Sequence, residues 1–507
     1  MSGFLTEKAA DKYWQDMESD VRNNRYVDPK AGMILFEEYA NLWYASLDLE
    51  PTTMTNYRYY LEHHILPFFS GRSLAAIAQS REEIDGWERD LMRVDGYAAR
   101  TARDARVTLA TCLGAAIPHR IQFNPAVKEK ARGRRGLRRV EQIRAQQKTK
   151  DVLTPLEVVL FGERVAALTG QDDDLVRELL YAFSAVRWGE ALALGPRYLT
   201  EDGRLNIEEK LYELSGHFYR GIPKDGSIRK IDLPPLLLGL LAELKPRRCT
   251  CKKRLPRPGD PAWCQGGEYL FLGPYNGHPR RSNFGRAAIR PAADGWFPEE
   301  GGKNPRPRMP VMVDLSQGWP GVPVVPWPAV EDGLPWVPPR LAERSRGRKT
   351  LPADTPLAVW LPFRKIEEES KGTKVSTHLL RHTASTWNAE DRIPDIMRDE
   401  RMGHRSADEG RAQAEMRDHY THATELMRAD VVQTLQQRLE TALMQRAELE
   451  RLWAEEGIPR RSTVPLMNKL LEPFRAATLT SVSTPLIPRL GGRRSLRRAS
   501  GRASNAG

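Results

Sequence analysis

The sequence predicts a mainly α-helical protein with a small antiparallel β-sheet, and two observations support this prediction. Apolar residues recur at helical spacing through residues 28–130 and again at 376–390 and 424–455. Between these stretches, "GRLNIEEKLYEL" and "GIPKDGSIRKIDLP" have the composition and turn residues of β-strands. The length of 507 residues suggests about three folding units at roughly 150 residues each.

The charge of the chain indicates a polyanionic partner. The formal net charge is +12, and such an excess most commonly attracts nucleic acid. An anionic membrane surface is the alternative, but no amphipathic basic helix supports it. No apolar run approaches the ~20 residues that span a bilayer, and the first residues lack the apolar segment of a signal peptide. We therefore expect a cytoplasmic protein.

Residues 28–130 are predicted to form a helical domain, preceded by an amphipathic helix within 1–27. One helix face carries Phe36, Tyr39, Ala40 and Trp43 at the spacing i, i+3, i+4 and i+7. A later helix opens at Ser80, where Glu83 has the spacing of a capping box.

Residues 131–152 are predicted to form a basic linker between domains. Its central arginines are Arg132, Arg134, Arg135, Arg138 and Arg139. One interpretation is a solvated linker or helix face, and the other is a strap over DNA phosphates. The two interpretations are compatible with each other.

Residues 153–455 are predicted to form the second domain. It opens with Thr154 and Glu157, which have the spacing of a capping box. Within it, residues 297–370 are rich in Pro, Gly and Trp and too long for an ordinary loop, so we interpret them as an insertion. Residues 456–507 are polar and basic and predict a disordered tail.

Two segments of the second domain place arginine where it could bind a phosphate. In "STHLLRHTAS", His378 and Arg381 are three apart and share a helix face, and this pair can bind a phosphate through a guanidinium fork and an imidazole. In "YAFSAVRWGEALAL", Arg187 lies in an apolar segment with Glu190 three residues later. Each segment alone also fits an ordinary structural pair on a helix.

Two further segments carry groups suited to proton transfer or nucleophilic attack. Lys224 precedes Asp225-Gly226, a strong hairpin-turn signal, although a lysine beside a turn is usually only solvated. His404 follows Gly403, and Tyr420 is the only tyrosine after His404. A single tyrosine is more often a packing residue than a nucleophile.

The order of these segments resembles the tyrosine recombinase signature of phage-type integrases, including actinobacterial ones. "SAVRWGEALAL" and "THLLRHTAST" are similar to the two arginine boxes, and "MGHRS" and "HYTHAT" to the histidine and nucleophile segments. Residues 28–130, with "YVDPKAGMILFEEYANLWY", resemble the family's core-binding domain. The resemblance covers residues 10–450, and only the combined set of motifs is specific.

The resemblance implies a SAM-like core-binding domain and an α+β catalytic domain that form a C-shaped clamp on DNA. It implies site-specific DNA cleavage and rejoining through a 3′-phosphotyrosyl intermediate, for integration or excision of a phage or mobile element. The implied catalytic residues are Arg187, Lys224, His378, Arg381, His404 and the nucleophile Tyr420, with Glu190 supporting the arginines. No cofactor or metal is expected for the reaction.

The implied partners are double-stranded attachment-site DNA, three further copies of the chain in a tetramer, and an excisionase or DNA-bending protein. A C-terminal segment would dock onto the neighbouring protomer, and the protein would act at the nucleoid of a bacterial host. Residues 1–27 look like the helix that follows an arm-binding domain, so we expect a remnant or truncated arm-binding region. The interval of 16 positions from His404 to Tyr420 is long for the family.

Two alternatives to an active recombinase stay open. One is a DNA-binding regulator that keeps the fold without catalysis, and the other is an enzyme similar to type IB topoisomerases. The presence of every expected catalytic residue type disfavours the first, and the N-terminal helical domain disfavours the second.

The four cysteines are too few for a disulfide framework in a chain of this length. Cys249, Cys251 and Cys264, with His278 beyond them, could form a Cys₃His zinc site. The alternative is reduced cysteines in a basic loop, and the Cys-x-Cys spacing favours that alternative. Cys112 lies on an apolar helix face and is expected in the core.

Overall fold

The computed structural model describes residues 6–22, 30–128, 152–252, 262–299, 301, 307–326, 335–336, 357–364, 373–403 and 423–475. Two compact units make up the chain, Met1–Lys148 and Thr149–Gly507. Within the described ranges, every helix is too short or too polar to cross a lipid bilayer. The architecture is mainly helical with small antiparallel sheets, as the sequence predicts.

Helices are the regular elements of the first unit over its described residues, with one isolated β-bridge between Leu35 and Ser73. Its helices are α1 (Glu7–Arg22), α2 (Phe36–Ala45), α3 (Pro51–Tyr60), α4 (Leu66–Phe69), α5 (Leu74–Ala78), α6 (Arg81–Arg93) and α7 (Ala99–Gly114). A π-helical segment, Leu61–Ile65, continues α3 into α4. The four apolar residues predicted to share one face of α2 are all buried, and Cys112 is buried in α7, so both predictions are confirmed.

The predicted capping box at the start of α6 does not form. Ser80 Oγ donates instead to the carbonyl of Ala76 at 2.8 Å. The Glu83 carboxylate accepts hydrogen bonds from both terminal nitrogens of Arg72, at 2.6 and 2.7 Å. A bidentate guanidinium–carboxylate pair is stronger than a neutral cap, which explains the difference.

The second unit contains ten further helices among its described residues. They are α8 (Pro155–Thr169), α9 (Asp172–Ser184), α10 (Trp188–Ala193), α11 (Pro235–Glu243), α12 (Arg281–Phe284), α13 (Arg290–Asp294), α14 (Thr377–Glu390), α15 (Asp395–Met402), α16 (Glu425–Glu455) and α17 (Pro465–Arg475). The capping box at α8 is present, with Thr154 Oγ1 accepting from the amide of Glu157 at 3.2 Å. The packing of α9 against α8 and α14 forms the centre of the apolar core.

Four short strands precede α11 and pair in an order that the sequence did not predict. Strand β1 (Arg204–Ile207) pairs antiparallel with β4 (Arg229–Asp232), and β2 (Lys210–Leu214) pairs with β3 (His217–Gly221). The Asp225-Gly226 turn therefore does not close a hairpin, because β3 and β4 have different partners. Lys224–Gly226 form one 3₁₀ turn in the connection between them.

The remaining strands are two or three residues long. They are β5 (Arg247–Arg248) with β6 (Glu268–Tyr269), β7 (Trp296–Phe297) with β8 (Met309–Pro310), β11 (Val325–Pro326) with β12 (Pro335–Trp336), and β9 (Met312–Asp314) between β10 (Val322–Pro323) and β13 (Leu357–Val359).

The described part of the predicted insertion at 297–370 packs into the second unit. Trp319 is buried and its ring stacks on Trp453 of α16 with centroids 4.8 Å apart. Trp360 is also buried, and its Nε1 donates to the carbonyl of Pro320 at 2.8 Å. These contacts make this part of the insertion a component of the core rather than a surface loop.

The C-terminal region is more ordered than the sequence predicts. Helix α17 lies inside the range 456–507 that was predicted to be disordered, and this part of that prediction is wrong. The residues Met467, Leu470 and Leu471 form a helical apolar stripe and are buried against α16. The helix forms because that stripe has a partner surface, despite the polar flanking sequence. Residues 476–507 lie outside the described ranges.

The long helix α16 confirms the helix predicted at 424–455. Its buried face carries Val431, Leu435, Leu439 and Ala442. Helices α8 and α17 of the same chain cover this face. It is therefore intramolecular core, and docking of a C-terminal segment onto a neighbouring protomer stays a prediction.

Candidate active site

Arg187 lies at the junction of α9 and α10, where the chain changes direction. Ala185 ends α9 in the left-handed conformation, with φ of 61°. Arg187 then caps α10: its backbone amide donates to Glu190 Oε2, and its Nη1 donates to Glu190 Oε1, both at 2.8 Å. The Arg187 side chain keeps 26% of its surface exposed, so an incoming anion can reach it.

Glu190 is buried and binds a second arginine that the sequence analysis did not identify. Arg229 of β4 donates to the two carboxylate oxygens of Glu190, at 2.8 and 3.2 Å. Burial acts to raise the pKa of Glu190, but the hydrogen bonds from Arg229 and Arg187 outweigh it and hold that pKa at about 2. Glu190 is therefore an anion that fixes two guanidinium groups.

Arg381 lies on α14 and is almost fully buried. Its two terminal nitrogens donate to the carbonyls of Ala185 and Met402, at the ends of α9 and α15. Among the described residues, no carboxylate forms an ion pair with it. Burial, and after it the nearby positive charge of Arg187, lower the pKa of Arg381 to about 9. Arg187 and Arg381 are thus two cations close enough to repel each other.

The end of α15 is held beside these arginines. Gly403 has φ of 59°, and a Cβ there would lie 3.0 Å from Ser227 Cβ and 3.1 Å from Arg229. Arg401, also buried, donates to the carbonyls of Asp232 and Phe183, at 2.6 and 2.8 Å. These bonds tie α15 to β4 and α9, so Gly403 lies next to the arginine cluster.

Lys224 and His378 are close in sequence to residues of the cluster, and both are exposed. Lys224 begins the 3₁₀ turn that leads to Ser227, whose Oγ accepts a hydrogen bond from Arg187 Nη1 at 3.3 Å. His378 lies on the first turn of α14, three residues before Arg381, and its ring packs edge-on against His382 with centroids 4.5 Å apart.

Several predicted site residues fall outside the described ranges. They are His404, Tyr420 and the linker arginines Arg132, Arg134, Arg135, Arg138 and Arg139. Their predicted roles stay predictions.

A signal for Arg229 was present in the sequence. In "SIRKID", Arg229 and Ile231 alternate with Lys230, which places Arg229 on the same strand face as an apolar residue. A buried guanidinium needs hydrogen-bond acceptors, and for Arg229 the Glu190 carboxylate supplies them. The pattern predicts burial, but it could not identify the carboxylate, which lies 39 positions away.

The four predicted metal ligands are brought together at a separate place in the second unit. Cys249, Cys251, Cys264 and His278 place their ligand atoms within 4.8 Å of one another. They lie against α10 and the β2–β3 pair, in an apolar cluster that includes Leu192 and Leu211.

The arrangement of Arg187 and Arg381 is suited to an oxyanion. Their charges repel each other in a poorly hydrated site, and an anion between them would relieve that repulsion. Guanidinium groups fixed by Glu190 and by backbone carbonyls need little reorganisation when charge develops on such an anion. The site therefore has the chemistry of a phosphate clamp.

A family model matches part of the first unit. Residues 35–83 match the model described as phage integrase, N-terminal SAM-like domain. This match agrees with the resemblance that the sequence motifs indicate, over the helices α2 to α6. No curated protein matches the chain significantly.

Several solved structures are similar to the chain at low identity. The Tn1549 transposon integrase, in complex with a circular intermediate DNA, is 13% identical with a TM-score of 0.44, covering 77% of this chain and 96% of that one. A lambda integrase dimer bound to a core site is 14% identical with a TM-score of 0.37, covering 80% and 83%. The integrase of mycobacterium phage Brujita is 14% identical with a TM-score of 0.23, covering 78% and 96%.

Proposed function

We propose that the chain is a tyrosine-type site-specific DNA recombinase, an integrase that cleaves and rejoins DNA for a phage or other mobile element. The observation that carries the proposal is the convergence of Arg187 and Arg381. These residues come from segments 194 positions apart, and each belongs to an arginine box that resembles the family's. The match of residues 35–83 to the integrase SAM-like domain supports the same assignment.

The two arginines would bind the non-bridging oxygens of one DNA phosphate. Both are held in place before DNA binds, Arg187 by Glu190 and Arg381 by two backbone carbonyls. Negative charge builds on those oxygens as the phosphorus becomes five-coordinate, so the arginines stabilise the transition state more than the ground state. Glu190 is a positioning residue in this scheme.

Tyr420 would be the nucleophile. Its phenol oxygen forms a bond to phosphorus while the bond from phosphorus to the 5′-oxygen breaks, and the product is a 3′-phosphotyrosyl link. His378 would accept the phenol proton, and Lys224 would donate a proton to the leaving 5′-oxygen. His404 would add a hydrogen bond to the phosphate; its neighbour Gly403 lies beside Ser227 and Arg229, which supports this role.

The partners follow from the reaction. Strand exchange between two attachment sites needs four cleaved strands, and therefore a tetramer of this chain on double-stranded DNA. An excisionase or DNA-bending protein would set the direction of the reaction. The five linker arginines would bind phosphates, consistent with the net charge of +12.

A trapping experiment tests the proposal without a known attachment site. The full chain is incubated with a library of duplexes that carry a central nick and randomised flanks, so that cleavage releases a short strand and prevents religation. Protein-linked DNA is recovered under denaturing conditions and sequenced, and the modified peptide is identified by mass spectrometry. We expect adducts on Tyr420 and enrichment of one sequence family.

The matched pair of variants is Tyr420→Phe and Tyr275→Phe. Tyr275 is 73% exposed and lies in the same unit, so its variant should form adducts like the wild type. Tight DNA binding without any adduct would favour the inactive regulator. Adducts without sequence preference, together with relaxation of supercoiled plasmid, would favour the topoisomerase-like alternative.

A further inference from the structure

Three cysteines and one histidine form a compact cluster away from the arginine site. The distance from Cys249 Sγ to Cys264 Sγ is 3.4 Å, and that from Cys264 Sγ to His278 Nε2 is 3.3 Å. Cys251 completes the set, in which all four ligand atoms lie within 4.8 Å. Cys249, Cys264 and His278 are buried, and Cys251 is partly buried.

We propose that this cluster is a structural zinc site with Cys₃His ligands. In a tetrahedral site with Zn–S near 2.3 Å, neighbouring sulfurs lie about 3.8 Å apart, and sulfur and nitrogen about 3.6 Å apart. The separations of 3.4 and 3.3 Å at Cys264 Sγ are close to these values, and no two ligand atoms of the set lie more than 4.8 Å apart, so binding of a metal ion needs side-chain shifts of about 1 Å or less. Three soft thiolate ligands and one imidazole in tetrahedral geometry select zinc over magnesium or calcium.

The backbone holds the ligands in place independently of any metal. The Cys249 amide donates to the carbonyl of Gly267 at 3.0 Å, and the Thr250 amide to that of Asn276 at 3.0 Å. The Cys264 amide donates to the carbonyl of Phe218, on β3, at 2.9 Å. The four ligands thus come from three segments that the backbone already joins, which lowers the entropic cost of metal binding.

Neighbouring side chains complete the site. Tyr269 Oη lies 3.2 Å from Cys264 Sγ and can donate a hydrogen bond to a metal-bound thiolate. The His278 ring packs against Phe218 and Tyr269, with centroids 5.0 and 4.7 Å away, which fixes its orientation. Four protein ligands leave no open coordination position, which is the pattern of a structural rather than a catalytic zinc site.

The position of the cluster indicates what the metal would stabilise. The cysteines pack in one apolar cluster with Leu192 of α10 and Leu211 of β2. Helix α10 carries Glu190, and β3 leads into the turn that begins with Lys224. Zinc would therefore join Cys249, Cys251 and Cys264 to His278 at a place where the cysteines pack against α10 and β2. Binding converts three thiols to thiolates and releases their protons to solvent.

Metal content of the purified full chain tests this proposal. The protein is prepared without a histidine tag and without chelators, and metals are measured by mass spectrometry. We expect about one zinc per chain in the wild type and in Cys112→Ala, because Cys112 is buried in the other unit. Reconstitution with cobalt should give the thiolate charge-transfer and ligand-field bands of a tetrahedral site.

The paired substitutions His278→Ala and His278→Cys separate a ligand role from a packing role. We expect the zinc content per chain of the alanine variant to fall by about tenfold or more. The cysteine variant should keep its zinc, because Cys₄ is also a structural zinc set. Cys251→Ala, at the least buried ligand, should also lose zinc.

A wild-type protein without zinc, or with a Cys249–Cys264 disulfide in non-reducing peptide mapping, would overturn the proposal. Retention of zinc by both His278→Ala and Cys251→Ala would overturn it as well. These measurements need no DNA, so failure of the recombinase assignment would leave their result intact.

Discussion

The carboxylate of Glu190 lies 2.8 Å from Nη2 of Arg229, and both side chains are buried. This pair joins α10 to β4, and Arg187 binds the same carboxylate at 2.8 Å. The single negative charge of Glu190 therefore offsets only part of the positive charge of Arg187 and Arg229. Arg381, with backbone carbonyls as its partners, contributes a further positive charge. The net positive charge of this cluster is what makes it suited to an anion.

The first prediction concerns Glu190→Gln. The variant leaves the guanidinium of Arg229 buried without a counter-charge, so at neutral pH we expect a loss of about 3 kcal/mol in the free energy of unfolding. The measurement is urea unfolding followed by tryptophan fluorescence. Glu208→Gln is the control, because Glu208 is exposed, and it should unfold like the wild type.

The stability difference between the wild type and Glu190→Gln is expected to depend on pH. The pKa of Glu190 is lowered from 4.5 to about 2 in the folded state, so its contribution to stability is complete above pH 4.5 and declines as the pH falls towards 2. The stability difference between wild type and Glu190→Gln should therefore shrink over that window. A difference that stays constant from pH 6 to pH 3, on the order of the neutral-pH value, would contradict the assigned charge.

The second prediction concerns Arg381→Lys. Lysine keeps the charge but cannot donate to both carbonyls and a phosphate in one plane. We expect cleavage of the trapped DNA sequence to slow by about 10²–10³-fold, with little change in DNA affinity. Single-turnover cleavage and filter binding measure the two effects. Arg290→Lys, at an exposed arginine of α13, should leave both unchanged.

The third prediction concerns Gly403→Ala. A left-handed φ of 59° costs an alanine about 1–2 kcal/mol, and the added Cβ meets Ser227 at 3.0 Å. We expect a loss of stability of at least that size, measured by urea unfolding, and slower DNA cleavage.

Gly239→Ala is the matched control for this variant. A Cβ at Gly239 has open space in α11, so alanine should stabilise by about 0.5–1 kcal/mol. Equal unfolding midpoints for the two variants would be incompatible with the described end of α15.

The fourth prediction concerns Trp319→Ala. This substitution removes the ring that stacks on Trp453 and that lies 5.0 Å from the buried guanidinium of Arg446. We expect a destabilisation of about 3–5 kcal/mol in urea unfolding. Trp14→Ala, at a tryptophan that is 68% exposed, should have no measurable effect. If Trp319→Ala left the free energy of unfolding unchanged, the segment around Trp319 would be a surface insertion rather than part of the core.

The fifth prediction concerns the linker. Replacing Arg132, Arg134, Arg135, Arg138 and Arg139 with glutamine should reduce the slope of log affinity against log salt by up to about 4.5, if each contacts one phosphate. Replacing five arginines of the tail, Arg493, Arg494, Arg497, Arg498 and Arg502, is the charge-matched control. An unchanged slope in the linker variant would leave the linker as a solvated connection.

Much of the secondary structure could be predicted from local sequence alone. The apolar face of α2 and the capping box of α8 depend on residues within two turns of one another, so their spacing determines the outcome. The same holds for the pair Arg187 and Glu190, which are three residues apart. The resemblance of the combined motifs to the recombinase signature also implied that Arg187 and Arg381 belong to one site.

Other features depend on contacts between distant segments, which local patterns do not encode. The hairpin predicted at Asp225-Gly226 is wrong because β4 pairs with β1 rather than β3. Helix α17 was missed because its apolar stripe is stabilised by burial against α16 rather than by helix propensity. The sequence offered Cys249, Cys251, Cys264 and His278 as a candidate set but its spacing disfavoured a metal site, and only the fold decided that the four ligand atoms lie together.

The sequence by itself determined the helical scaffold, the positive charge and the residue types of the proposed phosphate-binding site. The tertiary structure alone decided that Arg229 shares Glu190 with Arg187, and that carbonyls rather than carboxylates hold Arg381. The physical reason is that burial turns a charged side chain into a costly group, whose partner is chosen by proximity in the fold and not along the chain.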